Sequence, residues 1–161
     1  MTPARRLGLA TVLIVFVSDQ LLKCWLLYSV GLAENGPFDL APFLTIVLAW
    51  NRGISYGLFQ QGTDLGRWFL VVISFVAAVW LWRWMWRSHD RLTVLSLALI
   101  IGGALGNGVD RAVYGAVVDF VHFHWGSFSW YIFNIADVAI VVGVVGLLYE
   151  SFRPAGEKTA E

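Results

Sequence analysis

Four apolar segments, at about 7–30, 67–87, 92–110 and 131–150, each come close to the length needed to cross a bilayer, and they limit the possible folds more than any other feature. A helix needs about 20 residues to span the hydrocarbon core. Residues of this kind make up 58% of the chain, aromatic residues 16% and charged residues only 14%, with a mean hydropathy of +0.70. That composition excludes an ordinary soluble domain. The formal net charge of zero offers no basic face for nucleic acid. The 161 residues suffice for four spans and one small extramembrane element, which predicts a single integral membrane domain over 1–161.

An even number of spans returns both termini to one side. Arg5, Arg6, Arg83, Arg87, Arg91, Arg153 and Lys158 all fall on that side, against Arg52, Arg67 and Arg111 opposite. Short loops rich in Lys and Arg stay in the cytoplasm, so both termini are predicted cytoplasmic. Arg5-Arg6 followed by Leu13-Ile14-Val15-Phe16-Val17 imitates a signal peptide, yet no small-residue cleavage site follows and Asp19 and Lys23 continue the segment. An uncleaved first span is expected. The lone Cys24 has no internal disulfide partner and is read as a packing residue.

Between spans one and two, Thr45-Ile46-Val47-Leu48-Ala49-Trp50 is apolar and rich in β-branched residues. Asn51-Arg52-Gly53 then supplies turn residues before Tyr56-Gly57-Leu58-Phe59 resumes the pattern. This predicts a small extracytoplasmic β element on the membrane surface. The other outer segment, 112–130, holds Asp119, His122 and His124 among aromatics and is predicted to lie at the interface as a loop or helix. The two histidines lack the further ligands a metal site needs, so no metal is expected. Trp80, Trp82, Trp84 and Trp86 read as a cytoplasmic aromatic belt, and Gly102, Gly103 and Gly106 as a place of close helix contact. The expected fold is therefore an all-α membrane protein of four transmembrane helices with that β element between helices one and two.

Against this background two carboxylates stand out: Asp119 in Val117-Val118-Asp119-Phe120-Val121 and Asp137 in Phe133-Asn134-Ile135-Ala136-Asp137. A carboxylate in apolar sequence at a membrane is costly and marks a functional site by default. Two brought together would share a proton, giving a general acid and a general base at one place. Asp19 and Lys23 are four apart, with the acid first, the favoured order for a helical ion pair. Asn107, Asp110 and Arg111 cluster at the end of span three, where Asp110 and Arg111 read as a buried packing pair, and Asn134 and Asp137 lie three apart at the start of span four.

Five blocks run in order along nearly the whole chain: Asp19-Gln20-Leu21-Leu22-Lys23, Asn51-Arg52-Gly53, Gly102-Gly103-Ala104-Leu105-Gly106-Asn107-Gly108-Val109-Asp110-Arg111, Val117-Val118-Asp119-Phe120 and Phe133-Asn134-Ile135-Ala136-Asp137. In these blocks the sequence resembles the lipoprotein signal peptidases, or signal peptidase II. The resemblance implies an intramembrane aspartic endopeptidase of the bacterial inner membrane. It would cleave diacylglyceryl-modified prolipoproteins on the amino side of the lipidated cysteine, using no metal or organic cofactor. It further implies Asp119 and Asp137 as the catalytic pair. Asn51, Gly53, Asn107, Arg111 and Asn134 would line the site, and Asp19, Lys23 and Asp110 would support it. The expected partners are the prolipoprotein, membrane lipid and globomycin-type inhibitors; the chain would act as a monomer, its site facing the periplasmic leaflet. One departure is Ile54-Ser55, where many members carry two alanines. A proton-coupled carrier or a passive scaffold would also keep intramembrane carboxylates, but the spans show no repeat or interrupted helix pair and no acids along the inner half.

Overall fold

The computed structural model describes residues 1–53 and 64–153. Helix α1, Pro3–Cys24, begins at an N-cap Thr2 whose hydroxyl accepts from the Arg5 N–H, with Pro3 in the first turn where its missing donor does no harm. It runs on through a π-helical turn, Trp25–Ser29, to make a 27-residue span. A one-turn helix α2, Leu32–Asn35, follows. The other spans are α3, Asp64–Arg87; α4, Arg91–Tyr114, capped by Asp90 through the Thr93 N–H; and α5, Ile135–Phe152. Four membrane-crossing helices were expected, and four are present among the described residues.

Helix α4 is the hub. Of its most apolar stretch 61% is buried inside the protein, against 28%, 22% and 17% for α1, α3 and α5, which all pack on it. Glycine makes this possible. A Cβ on Gly102 would lie 2.8 Å from Val15, one on Gly106 would lie 2.8 Å from Asp19, and one on Gly103 would collide with the Ala136 carbonyl. Val12, Ala78, Met85, Val94, Leu97 and Ile101 fill the contact at the other end of the bundle. Ile14, Leu21, Val76, Val79 and Val145 are exposed on the outer surfaces of the helices, as hydrocarbon surroundings allow. Cys24 also sits on this exposed surface, which corrects its reading as a packing residue. Trp80 and Trp84 approach at 5.9 Å and Trp82 stacks on Trp86 at 5.8 Å, near the α3 end that carries Arg83 and Arg87.

The sheet departs from expectation in an instructive way. Strands β1, Phe38–Ala41, and β2, Leu44–Asn51, form the antiparallel element expected between the first two spans. The second outer segment is also strand: β3, Val117–Trp125, and β4, Phe128–Ser129, complete the order β1-β2-β3-β4. A lone hairpin would leave the β2 edge with unpaired backbone groups, and the β-branched and aromatic run from Val117 to Val121 pairs with that edge instead. In this register Ala49 lies opposite Asp119 and Asn51 opposite Val117. Phe133 then bridges to Val121, with the Phe120 and Val121 N–H groups both donating to the Phe133 carbonyl, which carries the chain directly into α5. The expected continuation at Tyr56 to Phe59, and the departure at Ile54-Ser55, lie outside the described residues.

Candidate active site

The sheet delivers Asp119 and helix α5 delivers Asp137 to the same place. Asp119 is 2% exposed on β3, while Asp137 is half-buried in the first turn of α5. Asn134 is the N-cap of that helix: its side-chain oxygen accepts the Asp137 N–H at 2.9 Å, and Asp137 Oδ2 accepts the Asn134 N–H at 3.3 Å, a reciprocal capping box. With the oxygen so committed, Asn134 Nδ2 is left to donate to Asp119 Oδ1 at 2.6 Å and to Asn107 Oδ1 at 3.1 Å. One residue thus caps the helix and joins the two acids.

Two further asparagines are oriented by the same logic. Asn51 Oδ1 accepts the Gly53 N–H at 3.1 Å, so its Nδ2 donates to Asp119 Oδ2 at 3.0 Å. Asn107 Oδ1 accepts from Asn134 and, at 3.4 Å, from the Lys23 ammonium, so its Nδ2 donates to Asp137 Oδ1 at 2.8 Å. Every amide carbonyl in the cluster has a donor, and each amide N–H₂ points at a carboxylate. Asp119 is nevertheless pushed up from 3.8 to about 7, first by burial and then by the neighbouring Asp137 charge. The bonds from Asn51 and Asn134 and the more distant Lys23 charge oppose that rise without cancelling it.

Asp137 borders a cavity of about 330 Å³ between α3, α4 and α5, and Asp119 stands behind it, joined through Asn51 and the Asn107–Asn134 bonds. Asn51, Asn107, Arg111 and Asp137 make it polar at one end, and Ile73, Ala77, Ile100, Ala104 and Ile140 make the rest apolar. A second groove of about 220 Å³, lined by Trp130, Phe133, Val138 and Val142, also borders Asp137. Arg111 donates to the Gly53 carbonyl at 2.9 Å and to the Asn107 carbonyl at 3.3 Å, and its buried Nε has no partner among the described residues.

Asp110 does not pair with Arg111, contrary to the expectation from their adjacency. Neighbouring residues on a helix point to different faces. Asp110 instead meets Lys23 at 2.7 Å, and Lys23 meets Asp19 at 2.8 Å as its spacing predicted. Two residues were given no role by the sequence reading. Gln20 donates to Asp110 at 2.8 Å and to Asp19 at 3.3 Å, and Arg67 ties down the end of α4 by donating to the Arg111 and Ala112 carbonyls. Gln20 sits inside a recognised block, whereas nothing local flags Arg67. His122 bonds Ser129 at 2.7 Å and His124 bonds Thr45 at 2.8 Å within the sheet.

A four-span bundle holding two linked carboxyls at the head of an apolar cavity has the make-up of a membrane-embedded aspartic peptidase. The signal peptidase (SPase) II family pattern matches residues 11–153. The chain is 55% identical over 152 residues to a lipoprotein signal peptidase of Methylorubrum extorquens (strain PA1), covering 94% of this chain and 89% of that one. It is 57% identical over 145 residues to one from Methylobacterium sp. (strain 4-46), covering 90% and 88%. In fold it is similar to a bacterial membrane enzyme solved in meso at 2.3 Å, with a TM-score of 0.78, 24% identity, and 96% and 92% of the two chains covered. The chain belongs to the signal peptidase II family. It is a multi-pass membrane enzyme that hydrolyses peptide bonds.

Proposed function

We propose that this chain removes the signal peptide from diacylglyceryl-modified prolipoproteins in the bacterial inner membrane, cutting on the amino side of the lipidated cysteine. The observation that carries this reading is the linkage of Asp119 to Asp137 through Asn134 and Asn107 at the head of the cavity. Asp137 sits at the positive end of a helix dipole and borders both cavities, which suits it to take a proton from a bound water. Asp119, pushed up to about 7 by burial and the neighbouring Asp137 charge, supplies a carboxyl that keeps its proton below neutral pH.

The water oxygen attacks the scissile carbonyl carbon as Asp137 accepts its proton, and Asp119 gives its proton to the carbonyl oxygen. Collapse of the tetrahedral species returns that proton to Asp119 and breaks the C–N bond, and Asp137 passes its proton to the leaving amine. Both acids end as they began. Arg111, already bound to two backbone carbonyls, is placed to hold the substrate backbone near the pair. The apolar walls of the cavity suit the signal segment, and a bilayer-facing groove suits the acyl chains. Inside a bilayer those chains select the substrate more than they drive its binding, because they leave lipid rather than water.

The positive residues at the termini and at the helix ends flanking the 88–90 connection, Arg83, Arg87 and Arg91, favour cytoplasmic termini, which turns the sheet and the site toward the periplasmic leaflet. The chain acts as a single monomeric domain, and globomycin-type peptides compete for the site. Purified Asp119→Asn and Asp137→Asn variants are to be assayed for cleavage of a diacylglyceryl prolipoprotein in detergent after their thermal unfolding is matched to the parent. Near-parental turnover in either variant would remove the pair from the chemistry. Periplasmic labelling of a cysteine placed at an exposed position of the sheet, and none at the termini, tests the orientation.

A further inference from the structure

One buried ammonium is linked, through its direct partners, to both elements that carry the two aspartates. Lys23 is 1% exposed, and Asp19 and Asp110 are both 0%. Its Nζ lies 2.8 Å from Asp19 Oδ2, 2.7 Å from Asp110 Oδ2 and 3.4 Å from Asn107 Oδ1. Each of the two acids then uses an oxygen on a backbone N–H. Asp19 Oδ1 accepts the Ala136 N–H at 3.1 Å, and Asp110 Oδ2 accepts the Val118 N–H at 3.1 Å. Ala136 immediately precedes Asp137, and Val118 immediately precedes Asp119. The third contact, to Asn107, turns that amide so that its N–H₂ meets Asp137.

We propose that Lys23 is a positioning residue for the aspartate pair: through Asp19, Asp110 and Asn107 it sets the separation of the β3 and α5 backbones and the direction from which Asp137 is bonded. This rests on the pair being the reacting acids. A packing role alone would not account for the pattern. A buried ion pair needs only a mutual partner, whereas each of these acids also takes the backbone N–H of the residue immediately before one of the reacting pair. Gln20 donates to both acids and so joins them a second time. Lys23 lies outside the walls of both cavities, so it has no route to the substrate except through the residues it orients.

The geometry separates turnover from binding. In Lys23→Arg the charge remains, but a planar fork does not place one donor centre at three convergent oxygens. A displacement of the acids by about 1 Å lowers kcat by about a hundredfold, since near-attack geometry is that steep. KM for the diacylglyceryl prolipoprotein is expected to stay within about twofold, because the cavity walls are untouched. Lys23→Met also removes a positive charge that holds Asp119 down, against the neighbouring Asp137 charge that raises it and beside the Arg111 guanidinium that faces both acids. The alkaline limb of its kcat profile is therefore expected to move to higher pH, a change that loosened packing alone would not produce.

The experiment uses the full chain in detergent and measures kcat, KM, the pH profile and thermal unfolding for Lys23→Arg and Lys23→Met beside Asp119→Asn and Asp137→Asn. Support is a folded Lys23→Arg with reduced kcat and unchanged KM. A folded Lys23→Arg with parental kcat, or one whose KM rises along with the loss of kcat, overturns the proposal, and it decides the matter even where Lys23→Met does not fold. Turnover surviving in the aspartate variants overturns the reading on which the proposal stands, whereas inactive aspartate variants beside a fully active Lys23→Arg overturn the positioning role alone.

Discussion

Two pairs of acids sit near one another at the sheet end of this bundle, and they are held in opposite ways. Asp19 and Asp110 share a lysine at 2.8 and 2.7 Å and are sealed from solvent. Asp119 and Asp137 have no ion pair among the described residues; their contacts are asparagine amides and the α5 backbone. A lysine neutralises and immobilises its acids, because its charge and their desolvation offset each other. Amides orient a carboxylate while leaving it free to gain or lose a proton. Partner chemistry, more than burial, separates the two pairs.

The strongest way to break this contrast is to exchange the acids for amides. Asp119→Asn or Asp137→Asn is expected to lower turnover by about a thousandfold or more while the unfolding midpoint does not fall below the parent's, measured by prolipoprotein cleavage and thermal unfolding. Asn134→Ala should act on both halves at once. It deletes the N-cap of α5, at about 1 kcal/mol of stability, and the bond to Asp119, with turnover falling by about a hundredfold.

The pH dependence sharpens the contrast further. The folded-state value of Asp119 is raised from 3.8 to about 7, so its contribution to stability is fully present below about 4 and is lost as the pH rises through 7. With Asp119 as the proposed acid, turnover is expected to decline along a limb centred near 7. Asp119→Asn, having no charge to bury, should gain thermal stability over the parent at pH 8 and show little difference at pH 4. Unfolding scans of both proteins at the two pH values check this, and a parental advantage at pH 8 would contradict the assignment. The smallest effect is expected for Cys24→Ser on the exposed helix surface, within about 0.5 kcal/mol and with unchanged turnover.

Much of the bundle was legible in one dimension because a bilayer imposes a length and a polarity on whatever crosses it. The Asp19–Lys23 pair was legible because four-residue spacing places two side chains on one helical face. The Asp110 partner was not, since Lys23 comes from another helix and adjacency along the chain misleads about direction. Likewise β3 reads as an interfacial segment until β2 supplies the edge that it pairs with. Pairing between segments some 70 residues apart leaves no local signature in either one.

What the sequence by itself determined is the set of spans, their electrostatic bias and the identity of the two costly carboxylates, all of which follow from the free energy of placing single residues in apolar surroundings. Only the tertiary structure decided that one asparagine joins the acids, that three amides are turned to face them, and that a lysine from the first helix meets two further acids, each bonded to a backbone N–H next to one of them. Hydrogen bonds and ion pairs act over about 3 Å, so their partners exist only once α1, α4, α5 and the sheet have come together.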